Sequence, residues 1–396
     1  MDKTPSPDLN GSTGPRICIF SQRNLGRLVS RCAEYEFEDI ICEIDDVELL
    51  APEPHCSFVI GQKIANQLGR YFSFTSPFVI GQKIANQLAR HLSFTSFNPG
   101  IRKLRLNRSY DLFVAICQFP RDLLSLKAIK GWRQRCRTSV CWLSEIWACE
   151  LFKLRGHLKI LSQFDYVVIP SSGSVQVVQD AIRKPCFHIP PGIDAILFCP
   201  YPNPPLRSVD VYSIGRKSPV THQSLLEMAE QGQIFYIYDT IYRMDTLHPR
   251  QHRSLLANIA KRSRYFVANR AKIDQQFETC GQNEISYRLF EGAASGTVMI
   301  GEPPINDDFR KYFDWPDVVI YVPFGSPDIA EVLSDLDSQP DRLKEIRRNN
   351  IVQSLLRHDW AYRWRSILDI VGLEPRPALI DREKRLKNLA DDVKKA

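Results

Sequence analysis

The stretch Glu284–Ile300, EISYRLFEGAASGTVMI, concentrates more chemistry than any other part of the chain. Glu291 stands near the start of a predicted helix whose following residues, Gly292, Ala293, Ala294 and Ser295, are all small. Gly296 ends that helix and a strand, Thr297–Ile300, follows. Small residues let backbone approach a ligand closely. A helix N-terminus offers unpaired amide donors and a positive dipole end to phosphate, and a carboxylate one turn in can accept both hydroxyls of a ribose. The same residues also suit a helix that packs through its alanines and carries one surface glutamate. A second candidate is Asp210–Arg216, DVYSIGR, a strand ending in Gly215, Arg216 and Lys217 before a helix from Thr221 onward. A Gly-Arg-Lys turn at the carboxyl end of a strand can clamp a diphosphate, or be an ordinary solvated turn. The third is Phe187–Phe198, FHIPPGIDAILF, where a short strand runs through Pro190-Pro191-Gly192 to Asp194.

These pieces need strands and helices to hold them, and the chain reads as repeated strand–helix units. Arg16–Ser21, Glu38–Ile44, Asp111–Gln118, Thr138–Leu143, Asp165–Pro170 and Pro185–Ile189 are strand candidates in the first half. Runs apolar on both faces, separated by helical stretches, belong to parallel sheets covered on both sides. The fold class expected is therefore α/β, with doubly wound, Rossmann-like domains. Cys199–Pro205 holds four prolines in seven residues and reads as a stiff connector. After it the rhythm restarts with Asp210–Ile214, Gln233–Tyr238, Arg264–Ala268, Thr297–Ile300 and Val318–Val322. The expected division is a flexible tail over 1–15, a first domain over 16–199, a second over 206–350 and terminal helices over 351–396. Ser57–Ser76 and Pro77–Ser96 match at 16 of 20 positions. Two copies are too few for a solenoid. The row Ile60, Ile64, Leu68 and Phe72 gives each copy an amphipathic helix face, so this is a tandem duplication inserted in the first domain.

Length and composition agree with that division. The 396 residues are 44% hydrophobic and 24% charged, which suits two ordinary globular cores and excludes disorder, collagen and coiled coil. No apolar run approaches the about 18 residues of a membrane-spanning helix, and the polar N-terminus is unlike a signal peptide. Eleven cysteines without a single CxxC form no zinc or redox signature. Free thiols in a reducing cytoplasm are the expectation.

The three pieces, in this order, resemble the group 1 (family 4-like) glycosyltransferases of the GT-B fold, nearest to the spore-maturation-type bacterial branch. Pro190–Phe198 is similar to the segment that closes the N-terminal domain in that family. Gly215-Arg216 is similar to the turn that opens the C-terminal domain. Glu291–Ile300 is similar to the nucleotide-holding segment, with Gly292 where the family has alanine. The resemblance implies two Rossmann-like domains facing a central cleft and a nucleotide-sugar donor. It implies retention of anomeric configuration and no cofactor. Glu291 would hold the ribose, with Gly215, Arg216 and Lys217 at the diphosphate. The backbone around Ser286, Tyr287 and Leu289 at the helix start would face phosphate, with Arg288 a second clamp, and Glu284 would face the sugar. The family's lysine five residues after the arginine is absent; Thr221 stands there, with His222 beside it. The family's two glutamates have seven residues between them, and Glu284 and Glu291 have six. Arginines and a helix dipole can stabilise a departing diphosphate in place of a metal, and no Asp-x-Asp motif is present. A catalytically silent GT-B-like binding protein and a nucleotide-sugar epimerase are the alternatives.

The acceptor belongs at the carboxyl ends of the first domain's strands. There Gly26 gives the Ser21–Arg27 loop room to approach, Arg121 sits in Gln118–Asp122, and Glu145 in Leu143–Trp147 is an acid/base candidate or an ordinary helix-start glutamate. His157 and His188 read as structural. The net charge of +7 is uneven: residues 101–137 carry ten Lys/Arg against Asp111 and Asp122, a sum of +8, so the rest of the chain sums to −1. Trp132, Phe113 and Phe119 interleave those charges. An anionic membrane surface, an anionic acceptor or plain solvation fits this segment. Nucleic acid is not expected without a recognised module, so the protein is placed in the cytoplasm, peripheral on the inner face of the membrane.

Overall fold

A computed structural model of the chain describes residues 14–55, 77–92, 95, 98, 100–240 and 245–396. Two parallel sheets organise it. The first has six strands in the order Val47–Leu50, Ile17–Phe20, Tyr110–Cys117, Cys136–Leu143, Tyr166–Ile169 and Cys186–His188. The second has five, in the order Tyr236–Tyr238, Val209–Ser213, Ser263–Val267, Val298–Gly301 and Val319–Tyr321. Alternation along one strand shows why the runs are apolar throughout. Phe113, Ala115 and Cys117 enter the core on one side of the first sheet, and Leu112, Val114 and Ile116 enter the core on the other.

The expected strand Glu38–Ile44 is instead the end of the helix Cys32–Ile44, and the second strand is Val47–Leu50. Phe37, Ile40, Ile41 and Ile44 are buried at i, i+3, i+4 and i+7, the helical period that a reading of continuous apolar character overlooked. The first repeat copy, 57–76, with its row Ile60, Ile64, Leu68 and Phe72, lies outside the described residues, as do residues 1–13 of the tail. The second copy forms the helix Pro77–Leu92. Its buried residues are Ala85 and Ala89, while Ile84, on the expected apolar row, is 46% exposed. Close approach selects the alanines: a Cβ on Gly156 of the neighbouring helix Arg155–Leu161 would lie 2.5 Å from the Ala89 carbonyl.

The end of the chain ties the two sheets together. Trp360, Trp364, Ile367 and Leu379 join the core of the first sheet, whereas Leu386, Ala390 and Val393 join that of the second. The helix Pro377–Lys395 thus spans both. The Pro-Pro-Gly turn has its physical reason here: a Cβ on Gly192 would fall 2.7 Å from the Trp360 ring. Ile193 then pairs with the chain at 358–360, its amide donating to the His358 carbonyl at 3.0 Å and its carbonyl accepting from the Trp360 amide at 3.1 Å. No helix among the described residues is long and apolar enough to cross a membrane.

Candidate functional site

The carboxyl ends of the second sheet form a cradle of cations and small residues. Gly215 follows the strand Val209–Ser213 with φ +86, a left-handed turn that suits glycine. Its amide donates to Asp239 at 3.1 Å, and the Lys217 ammonium donates to the same carboxylate. Arg216 pairs with Asp274 at 2.8 Å on the exposed rim. The Arg288 guanidinium lies over the turn, 3.6 Å from where a Cβ on Gly215 would stand. One step inward is a small pocket lined among others by Ser213, Lys217, His222, Asn269, Gly301 and Phe324. His222 shares a hydrogen bond with the Tyr236 hydroxyl at 2.8 Å. Burial, and then the Lys217 charge, push its imidazole below the ordinary range and favour the neutral form. Ser286 precedes the helix Tyr287–Ala294 and donates its hydroxyl to the Asn269 carbonyl. Leu289, expected at the phosphates, is fully buried in the second sheet's core, and its amide donates to the Ser286 carbonyl at 3.2 Å. One turn of helix carries that side chain away from the cradle. Gly292 is explained by packing, because a Cβ there would meet Met299 Sδ at 2.7 Å and Phe266 at 3.0 Å.

Glu291 is 2% exposed and its two oxygens accept from different arginines, Arg253 and Arg288. Burial alone would raise this carboxyl, but the Arg288 and Arg253 charges hold it below its ordinary value. Arg253, 4% exposed on the helix Pro249–Lys261, also donates to Glu36 of the first domain at 2.7 and 3.2 Å. Glu36 accepts further from the Asp194 amide at 2.8 Å and the Trp360 indole at 2.9 Å. The carboxylate singled out by sequence is therefore one end of a buried chain of charges that crosses between the sheets. Beside it, the Tyr287 hydroxyl donates to Glu34 at 3.0 Å, again across the interface. Glu34 is buried, its second oxygen has no hydrogen-bond partner, and burial raises its carboxyl, with the Ser144 and Tyr287 hydroxyls opposing.

Glu284 does not point into the cradle. Its two oxygens accept from the Ser172 and Gly173 amides, each at 3.0 Å, at the start of the helix Ser172–Ile182 in the first domain. This is a carboxylate at a helix N-terminus, contributed by the other domain. Gln282 reinforces the contact, accepting from the Ala148 amide at 2.8 Å and donating to the Ser174 hydroxyl at 3.1 Å. Glu145 faces the interface, held by Gln118 at 3.1 Å and by Lys272 of the second domain at 3.6 Å. Gly26 borders the same side, and a Cβ on it would strike the Arg31 side chain at 2.5 Å. Arg31 in turn makes a two-pronged pair with Asp122, both contacts at 2.8 Å. Arg121 is exposed, with its guanidinium 4.1 Å from the centroid of the Phe119 ring. His157 is buried and pushed down to about 4 by burial and then the Arg90 charge. His188 bonds the Pro170 carbonyl at 3.1 Å.

Residues 226–369 match the protein-family model described as "Glycosyl transferase-like". No curated protein sequence matches the chain. Among solved structures, an alpha-glucosyltransferase in complex with UDP and a 13-mer DNA containing a HMU base superposes with a TM-score of 0.51 at 12% identity, over 91% of this chain and 100% of that one. The N-terminal domain of a Candida albicans trehalose-6-phosphate phosphatase superposes with a TM-score of 0.56 at 9% identity, over 93% and 98%. The fold is GT-B. In that frame the Glu34–Glu145 side of the first Rossmann-like domain meets Tyr287 and Lys272 of the second.

Sequence reading missed Glu34, Glu36, Arg253 and Asn269. Asn269 was reachable, since it lies two residues beyond the strand Ser263–Val267 at its carboxyl end. Arg253 carried no signal, for nothing in PRQHRSLLANIAK separates a bridging arginine from a solvated one. The basic segment keeps its charge at the surface, with Arg102, Lys103, Arg105, Lys130, Arg135 and Arg137 exposed. Two of its three aromatic residues do not join them: Trp132 and Phe113 are buried, stacked with centroids 4.7 Å apart, whereas Phe119 lies under Arg121.

Proposed function

We propose that this GT-B protein is a glycosyltransferase that moves a sugar from a nucleotide-sugar to an acceptor held against the first domain. The cradle carries the reading: Gly215 and Arg288 meet at the turn and Lys217 lines the pocket beside it, where a nucleoside diphosphate would leave, with Arg216 on the rim. The family match over residues 226–369 supports it. Arginine and lysine side chains at that point supply the charge stabilisation that a divalent cation would otherwise give, so the reaction is metal-independent on this reading. By the resemblance in the sequence it is a hexosyl transfer with retention, carried out in the cytoplasm. UDP is bound in the alpha-glucosyltransferase neighbour, which makes UDP-sugars the first donors to try.

Glu291 bears on a second reading. Both its oxygens are taken by arginines, so ribose hydroxyls would have to displace or share Arg288. A nucleotide-binding protein without turnover fits that engagement, and an epimerase fits the same cradle. A calorimetric titration with UDP-, GDP- and ADP-sugars, followed by product analysis with and without acceptor extract, separates the three. The transferase reading expects one donor to bind, Arg216→Ala with Lys217→Ala to weaken it at least tenfold, and turnover to need acceptor. Binding without any product supports the silent protein, and donor conversion without acceptor supports the epimerase. If no donor binds the folded chain, the proposal falls.

A further inference from the structure

We propose that Cys149 and Cys280 form a reversible disulfide site across the mouth of the cleft, oxidised by a small-molecule disulfide and clamping the two domains together. All ten described cysteines are free thiols; seven of them are buried, and Cys42 is exposed on the helix Cys32–Ile44 of the first domain. Cys149 and Cys280 differ. Cys149 belongs to the first domain, in the short helix Ala148–Lys153, and Cys280 to the second, just after the helix Gln276–Thr279. Both thiols rest on one turn of the second domain, Cys280 Sγ donating to the Phe277 carbonyl at 3.7 Å and Cys149 Sγ to the adjacent Glu278 carbonyl at 3.4 Å. Two residues beyond Cys280, Gln282 accepts from the Ala148 amide at 2.8 Å, so the residue before Cys149 is tied to the chain that follows Cys280. Glu284 on the Ser172 and Gly173 amides extends that seam.

The environment of each sulphur sets the order of events. Cys280 is exposed, whereas Cys149 is half-buried. Burial, the neighbouring Cys280 thiol and the Glu150 charge raise the Cys149 thiol to about 11. The exposed Cys280 is the thiol that a small disulfide reaches first, and as thiolate it undergoes the first exchange. Its sulphur attacks the small disulfide, forms a mixed disulfide and releases one small thiol. The Cys149 sulphur, its proton passing to solvent, then attacks the Cys280 sulphur and expels the second small thiol. Two protein thiols are oxidised and one small disulfide is reduced to two thiols. The bond would join residues more than a hundred positions apart and hold Tyr287 and Lys272 of the second domain against the Glu34–Glu145 side of the first.

Oxidised glutathione is the probe. After incubation, acid quench and alkylation of remaining thiols, the full chain is expected to yield one cross-linked peptide pairing Cys149 with Cys280, reversed by dithiothreitol. Cys149→Ser should stop at a glutathione adduct on Cys280, and Cys280→Ser should form no cross-link. The oxidised wild type should unfold at higher urea than oxidised Cys149→Ser. A wild-type chain that keeps separate adducts, pairs other cysteines or shows no urea shift on cross-linking overturns the proposal. None of these measurements depends on sugar transfer, so their failure leaves the functional reading untouched.

Discussion

Arg253 is the residue whose loss tests the buried network most directly. Replacing it by methionine keeps much of the apolar stem and removes the one cation shared by Glu36 and Glu291. Breaking a buried pair by deleting one partner costs about 3–5 kcal/mol. Each carboxylate keeps other donors: the Asp194 amide and Trp360 indole for Glu36, and Arg288 for Glu291. The lower end, about 3 kcal/mol at pH 7, is therefore expected, a large part of the about 5–15 kcal/mol that holds a typical fold together. Urea unfolding followed by tryptophan fluorescence reads this well, because Trp360 sits on Glu36 itself. The pH dependence has a definite sign. In the native protein burial raises Glu36 with Arg253 opposing, and Glu291 is held low against burial by Arg288 and Arg253. Without Arg253 both carboxyls move up. A carboxyl whose folded pKa rises loses stability only where the unfolded chain would be ionised, above about 4.3. The deficit of Arg253→Met should be larger at pH 7 than at pH 5 and shrink as pH falls toward about 4. A deficit below about 1 kcal/mol at pH 7, or one that grows on acidification, would refute the network as an energetic link.

Three further outcomes follow from the same geometry. Glu284→Ala should lower stability by about 1–2 kcal/mol, by stripping a charged acceptor from two helix-terminal amides, while changing donor affinity less than about threefold; a loss of turnover with unchanged stability would return Glu284 to the sugar. Gly292→Ala should cost about 1–3 kcal/mol through contact with Met299 and Phe266, and Met299→Val in the same chain should recover most of it in thermal unfolding. Charge reversal at Arg135 and Arg137 should weaken sedimentation with phosphatidylglycerol vesicles, at about 1 kcal/mol per basic residue, and leave donor binding intact; vesicle binding that is unmoved by salt and by these variants would remove the membrane from the account.

The fold was legible because parallel sheets leave long apolar runs and turn residues at their ends. Asp111–Gln118 and Thr138–Leu143 fall on strands for that reason. Glu38–Ile44 misled because a helix buried on several sides shows the same apolar density as a strand, and only the i, i+3, i+4 spacing of Phe37, Ile40, Ile41 and Ile44 tells them apart. Around the cradle, sequence located the residues and not their partners. Gly215 and Arg288 meet because a left-handed turn and a helix start converge from positions 73 apart in the numbering. Glu284 and Glu291 look alike on paper, one caps the other domain's helix and one faces two arginines, and nothing local to either states which.

That difference gives the interface a consequence for the site. Several polar contacts between the domains lie beside the cradle: Arg253 to Glu36, Tyr287 to Glu34, and Lys272 to Glu145. A ligand that draws Arg253 away from Glu291 changes the pairing of Glu36 as well, because Arg253 holds both carboxylates at once. Donor binding and the Arg253–Glu36 contact are then one equilibrium seen from two sides, and a coupling between them must be reciprocal. Weakening the interface at Glu36→Gln, without touching the cradle, should therefore shift donor affinity, and saturating donor should shift the unfolding of Glu36→Gln by the same free energy. If Glu36→Gln alters stability while donor affinity stays as in the wild type, the chain of charges is a structural brace and carries nothing between the domains.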